Sequence, residues 1–192
     1  MATLLFRRSA FELLDSGCFW LSETPEVCGS MSWGCAYPRT VSWARLGCRA
    51  SGAVLTYVNT HFDYQPAAIV GNARCLHQWL APIARQTPLI VTGDFNADKE
   101  SEAYRLLTGD TMLIDAFRQV HPPGTDEATF HAFGRQEQSA PIDWILGSNH
   151  FRVVDARIDR SHEGKLFPSD HYPITAVLDW QAGRAEGSGV KV

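Results

Sequence analysis

The sequence contains no apolar run approaching the ~18 residues of a membrane-spanning helix, so no transmembrane segment is expected. Its opening, Met1-Ala-Thr-Leu-Leu-Phe, is followed at once by Arg7-Arg8. That is the wrong order of charge and apolar core for a secretory signal, and the chain reads as cytoplasmic. There is no surplus of positive charge either: 17 Lys and Arg stand against 21 Asp and Glu, a net charge of −4. A protein that grips a long duplex through its phosphates carries a basic footprint, so that partner is disfavoured and any nucleic-acid contact is expected to be local. The five cysteines, at 18, 28, 35, 48 and 75, form no C-x-x-C pair and lack the histidine spacing of a zinc site. Reduced thiols are expected, although the four between positions 18 and 48 leave a disulfide framework open.

What is present suits one folded domain. The 192 residues are 45% hydrophobic and 20% charged, and a chain of this length can bury roughly 70% of its unfolded surface without a disulfide or a structural metal. Thr3 to Phe6, Phe11 to Leu14 and Phe19 to Leu21 read as short extended pieces. The Ser-, Gly-, Pro- and Cys-rich stretch from Ser22 to Pro38 reads as a long loop, a candidate rim for a site. Strands are expected over Thr40 to Leu46, Ala53 to Thr60, Pro88 to Thr92, Ile142 to Leu146, Phe151 to Ile158 and Ile174 to Trp180. From Ala67 to Ala84 the apolar positions Ile69, Val70, Ala73, Leu76, Trp79, Leu80 and Ile83 follow helical spacing, and Ser101 opens a second, shorter helix. Leu113 to Phe117 fits helix or strand. The tail from 182 to 192 is expected to be mobile, leaving one domain over 1–181. Alternating strands and helices imply a layered α/β domain whose site lies where several strands finish.

Polar clusters mark those finishes. Asn59-Thr60-His61, Gly93-Asp94-Phe95-Asn96, Asp143 inside Ile142-Asp143-Trp144-Ile145, and Ser169-Asp170-His171 each end or open an apolar strand. An acid within a buried strand is costly unless paired, and a histidine is the natural partner for Asp143. Asp94 and Asn96, two residues apart, would share a face if the segment is extended, one accepting a proton and the other donating to an oxyanion, with Gly93 permitting the bend that aims them. Asp170 offers a hard oxygen to Mg2+, and His171 an imidazole to a phosphate oxygen. Each string also has a plain structural reading. Asp94 and Asn96 could serve a turn, Asp170-His171 a loop before Pro173, Asp143 an ion pair with Arg, His61 a core contact, and Arg39 a surface salt bridge. His131 could line the cleft, and Trp33 could stack on a base rather than anchor the loop.

Taken together, the four strings resemble the endonuclease/exonuclease/phosphatase superfamily of metal-dependent phosphoesterases, in order and approximate spacing, from about Phe6 to Trp180. The resemblance implies a two-sheet α/β sandwich and hydrolysis of a phosphoester with Mg2+ or Mn2+. It implies that Asp94 positions or deprotonates the attacking water and that Asn96 holds the phosphate. His61 is implied as the first active-site histidine, and His171, oriented by Asp143, as the group that contacts the phosphate. It further implies Asp170 as a metal ligand and Arg39 as a phosphate contact. The leading strands that carry an Asn and the metal-binding Glu in the family have no counterpart here, so the chain resembles an N-terminally incomplete member. An impaired remnant acting as a binding module, or a fragment without function, is the alternative expectation. The acidic balance favours a small phosphorylated substrate or a short nucleic-acid end.

Overall fold

The helical spacing from Ile69 to Ile83 forms α1 (Pro66–Ala84), with Pro66 at its first turn and Pro82 in its last. The structure, a computed structural model, describes residues 2–109, 113–136, 140–181 and 190–191. The strands are β1 (Phe11–Trp20), β2 (Thr40–Cys48), β3 (Val54–His61), β4 (Leu89–Asp94), β5 (Leu113–Asp115), β6 (Asp143–Ser148), β7 (Phe151–Ile158), β8 (Ile174–Trp180) and β9 (Val190–Lys191). Helices α2 (Glu102–Thr108) and α3 (Ala116–Val120) flank β5 in sequence. Ser101 caps α2 by accepting the Tyr104 N–H at 3.2 Å.

A six-stranded sheet runs in the order β1-β2-β3-β4-β6-β5, and β7-β8-β9 form a second sheet. Strand alternation supplies both faces of the larger sheet. Val58, Val91, Trp144 and Leu146 join Leu76, Leu80, Tyr104 and Leu107 of α1 and α2 in one core. Leu55, Ile90 and Ile145 meet Phe151, Val153, Ala176 and Leu178 in the other. The architecture is therefore the two-sheet α/β sandwich implied by the strings. Cys18, Cys28, Cys35 and Cys75 carry free thiols. Among the described residues no helix is long and apolar enough to cross a membrane.

Three local expectations change. Phe11 to Trp20 is a single ten-residue strand rather than two pieces, because pairing with β2 carries it across the polar Asp15-Ser16-Gly17, with a bulge between Leu13 and Asp15. Thr3 to Phe6 is not a strand; Leu4 and Phe6 pack against the core between the sheets, and the Thr3 carbonyl accepts the Asn59 side-chain amide at 3.0 Å. Leu113 to Phe117 is strand and then helix, divided at Asp115, whose carboxylate caps α3 by accepting the Phe117 and Arg118 N–H groups at 2.9 and 3.1 Å. The expected mobile tail lies outside the described residues apart from Val190–Lys191, which pair with Leu178 and Val177.

Asp115 also belongs to a buried charge network. Lys99 Nζ lies 2.9 Å from Asp115 Oδ2 and 2.8 Å from Glu127 Oε2, and the side chains of Lys99 and Asp115 are each 3% exposed. Arg118 closes the network on Glu127 at 2.6 Å. Removing one charge from such a set strands its partners, so Lys99→Met is expected to cost about 3–5 kcal/mol in urea unfolding at neutral pH; a loss within error of zero would show that the network carries no stability. Burial works to raise the Glu127 carboxyl, but hydrogen bonds from Arg118 and Lys99 outweigh it and hold the group below its ordinary 4.5. Its contribution is therefore complete above about pH 4.5 and is lost as the pH falls through the lower folded value, so Glu127→Gln should flatten the acid limb of the stability–pH profile.

Candidate active site

Strand register brings three of the four strings together. His61 pairs with Asp94 across the parallel β3–β4 ladder, and Asp94 pairs with Asp143 across the antiparallel β4–β6 ladder. Each is next in sequence to a buried aromatic, Phe62, Phe95 and Trp144 respectively. Phe95 stacks on Trp144 with ring centroids 4.2 Å apart and meets Phe62 edge-on at 5.0 Å. These rings are drawn into the core beneath α1 and α2, so the flanking polar side chains point to the opposite face. The fourth string arrives from the segment before β8, where Phe130 bridges to His171.

The resulting contacts are short. His171 Nδ1 lies 2.7 Å from Asp143 Oδ2, so histidine rather than arginine is the partner of this acid. His61 Nε2 lies 3.3 Å from Asp94 Oδ2, and His171 Nε2 is 3.9 Å from the same oxygen, too far for a hydrogen bond. Burial, reinforced by the charge of Asp143, raises the Asp94 carboxyl above its ordinary value. The His171 imidazole is also raised, chiefly by its hydrogen bond to Asp143. His61 is lowered: burial is the main cause and the charge of Arg39 adds to it, against the pull of Asp94. Two histidines at one carboxylate are thus poised differently, one favouring the proton and one disfavouring it.

Asn96 departs from the extended geometry expected of it. The bend falls on Asn96 itself, at φ 48°, a left-handed conformation that asparagine tolerates, while Gly93 is absent from the positive-φ positions. Gly93 is needed for closeness instead, since a Cβ there would sit 2.5 Å from the Thr60 carbonyl oxygen. Asn96 donates its backbone N–H to Asp94 Oδ1 and its side-chain amide to the Phe62 carbonyl, both at 2.9 Å. The turn fixes the Asp94 carboxylate in place.

Arg39 is in a buried ion pair, not a surface one. Its Nε reaches Asp63 Oδ2 at 3.4 Å, with the two side chains 14% and 0% exposed. Asp63 also accepts the N–H groups of Ala36, Tyr37 and Gln65, which hold its carboxyl below the ordinary range despite burial. The same acid thus ends the Ser22–Pro38 loop and seats Arg39. No spacing marks Asp63 in the sequence as the acid that ends the loop, because its partners there are backbone groups 26 and 27 residues earlier. The loop's other anchor is Trp33, packed so closely over Gly71 of α1 that a Cβ at that position would overlap the indole; Trp33 is an anchor rather than a stacking platform. Tyr37 and Tyr64, 57% and 51% exposed, stand beside Arg39 at the rim.

Asp170 lies outside the metal-competent cluster found among the described residues, whose members Asp94, Asp143 and His171 offer ligand atoms within 4.8 Å of one another. Its backbone carbonyl accepts the N–H groups of His131 and Ala132, at 2.9 and 3.1 Å. His131 is 3% exposed and stacks on Tyr172 at 3.9 Å, so it supports the cleft wall from behind and does not line it.

A layered α/β sandwich with acids and histidines gathered at its strand ends is the arrangement that the comparisons with known proteins place in a family. The chain belongs to the Endonuclease/Exonuclease/phosphatase family, whose model matches residues 13–171. It is similar to the crystal structure of the endonuclease/exonuclease/phosphatase from Bacteroides vulgatus, with 32% identity and a TM-score of 0.82 over 92% of this chain and 69% of that one. It is also similar to a mannosyl-6-phosphatase from Bacteroides thetaiotaomicron, with 29% identity and a TM-score of 0.80 over 91% of this chain and 69% of that one. Rat nocturnin is 30% identical in an alignment of 104 positions that covers 48% of this chain and 24% of nocturnin. The chain thus matches about a quarter of the length of that curated relative.

If Asp143 is what favours the proton on His171, Asp143→Asn should bring the His171 titration midpoint, followed by NMR, down toward the ordinary 6.5. An unmoved midpoint would assign the shift to another group.

Proposed function

We propose that the chain is a divalent-metal-dependent hydrolase of phosphoester bonds, acting on a small phosphorylated substrate or a short nucleic-acid end. The observation that carries this reading is the Asp94 carboxylate, raised in proton affinity and set opposite a His171–Asp143 pair. A carboxylate so tuned is a better base for water than an ordinary surface acid. Asp94 would hold the attacking water and take its proton. His171, kept in one tautomer by Asp143, would meet a non-bridging phosphate oxygen with Nε2. His61, half exposed beside Asp94, would face the phosphate from the other side. The Arg39 guanidinium, held through Nε by Asp63, would present its terminal nitrogens to the same charge, and Asn96 would contribute through the turn that fixes Asp94.

The donors fit a hard cation. Carboxylate oxygens dominate the cluster, as Mg2+ and Mn2+ prefer. Asp143 and His171 spend facing atoms on each other, whereas among the described residues the hydrogen-bond partner of the Asp170 carboxylate is the Ser169 hydroxyl at 3.4 Å; this supports Asp170 as a ligand, with Asp94 beside the substrate. When bound, the metal would supply charge stabilisation at the phosphoryl oxygens and the leaving group. The exposed Tyr37 and Tyr64 and the likeness to a mannosyl-6-phosphatase support a substrate with a ring, such as a sugar phosphate or a nucleotide end.

Hydrolysis of p-nitrophenyl phosphate and bis-p-nitrophenyl phosphate tests this. Turnover with Mg2+ or Mn2+, abolished by EDTA and lowered at least about 100-fold in Asp94→Ala and in His171→Ala, is expected. Asp170→Asn should raise the metal concentration needed for half-maximal rate. Turnover indifferent to Asp94 and His171 would refute the assignment.

A further inference from the structure

The Asp143–His171 pair joins two segments that are not neighbours in either sheet, since Asp143 opens β6 of the large sheet and His171 precedes β8 of the small one. Side-chain attraction alone does not hold two backbones within 2.7 Å reach of one geometry, so the pair needs a scaffold. Thr129 touches both sides. Its Oγ1 accepts the N–H groups of Ile142 and Asp143, each at 3.2 Å, and its hydroxyl donates to the Ala140 carbonyl at 3.3 Å. Its own carbonyl accepts the Tyr172 N–H at 2.8 Å, one residue beyond His171. The next two residues continue the tie: Phe130 bridges to His171 and stands 4.9 Å from its ring, and His131 donates its N–H to the Asp170 carbonyl.

The site of attachment on β6 is informative. Phe95 donates its N–H to the Ile142 carbonyl at 2.8 Å, one residue beyond the last pair of the β4–β6 ladder, and this bond leaves that last pair, Asp94 and Asp143, a non-hydrogen-bonded one. The Asp143 N–H therefore points away from β4, toward Thr129. Thr129 is 1% exposed, and its hydroxyl bonds to backbone groups of Ala140, Ile142 and Asp143.

We infer that Thr129 is a positioning residue of the active site, its hydroxyl fixing the Asp143 backbone and its carbonyl fixing the His171 segment, so that one residue sets the separation and angle of the pair. The inference rests on the proposed role of Asp143 and His171, and its test is read both with and without turnover. Thr129→Val keeps the shape and removes the hydroxyl; Thr129→Ser keeps the hydroxyl and removes the methyl. In Thr129→Val, kcat should fall about 100-fold with KM little changed, the scale of a misplacement near 1 Å. The downfield NMR signal of the His171 Nδ1 proton, the mark of its bond to Asp143, should broaden or vanish, and Thr129→Ser should restore both. If the valine variant does not fold, Thr129→Cys, with a thiol that accepts only weakly, should give intermediate values of both readouts. A folded valine variant that keeps the proton signal and the rate would overturn the inference, as would a serine variant as impaired as the valine one. A wild-type chain that turns over no phosphoester with any metal, yet loses the proton signal in Thr129→Val, would sink the hydrolase reading and leave the positioning role standing.

Discussion

The stack of Phe62, Phe95 and Trp144 is the constraint on which the site depends. Each ring is one residue from a proposed functional group, and each is fully or almost fully buried, at 0%, 0% and 1% exposure. Burying three large aromatics is worth several kcal/mol, far more than any single polar contact above them. Because consecutive strand residues face opposite ways, the same burial obliges His61, Asp94 and Asp143 to stand on the other side of the sheet. The register of the parallel and antiparallel ladders then sets them in a row. The hydrophobic core beneath α1 and α2 thus aims the chemistry above the sheet, and a one-residue slip in any of the three strands would invert it.

A second level of organisation comes from buried polar residues that serve the backbone rather than the substrate. Asp63 gathers three backbone N–H groups and the Arg39 guanidinium, tying a 17-residue loop to the strand end beside His61. Asp115 caps α3 and takes the Lys99 ammonium and the Tyr104 hydroxyl. Both carboxylates have their desolvation offset by several partners at once, the condition under which a buried charge is tolerable. The electrostatic differences at the site follow from the same economy of placement. Burial and the charge of Asp143 raise the proton affinity of Asp94, the hydrogen bond to Asp143 raises that of His171, and His61 is left on the disfavoured side by burial and by Arg39.

Much of this was legible from residue order. Apolar runs that end in His61 and Asp94, and one that Asp143 opens, announce strand ends gathered at one place, and the helical spacing of α1 and the cap at Ser101 appear within two residues of where they are found. The pairing of Asp143 with a histidine followed from the cost of burying an acid. The backbone at Asn96 did not follow, because i, i+2 spacing describes a face only when the chain is extended, and here the segment turns back on Asp94. Nor did the unity of β1, since its polar middle is held by pairing with β2 and not by its own alternation.

The sequence by itself determined the layered α/β class, the strand ends that carry polar clusters and the acid and imidazole chemistry available there, because periodicity and residue type are local properties. Only the tertiary structure decided the rest: that Asp63 and not a surface acid holds Arg39, that Trp33 anchors a loop on Gly71, and that Thr129 lies between Asp143 and His171. Those contacts join residues 14 to 43 positions apart through backbone hydrogen bonds, an ion pair or close packing, and none of them leaves a period, a spacing or a composition in the chain to be read.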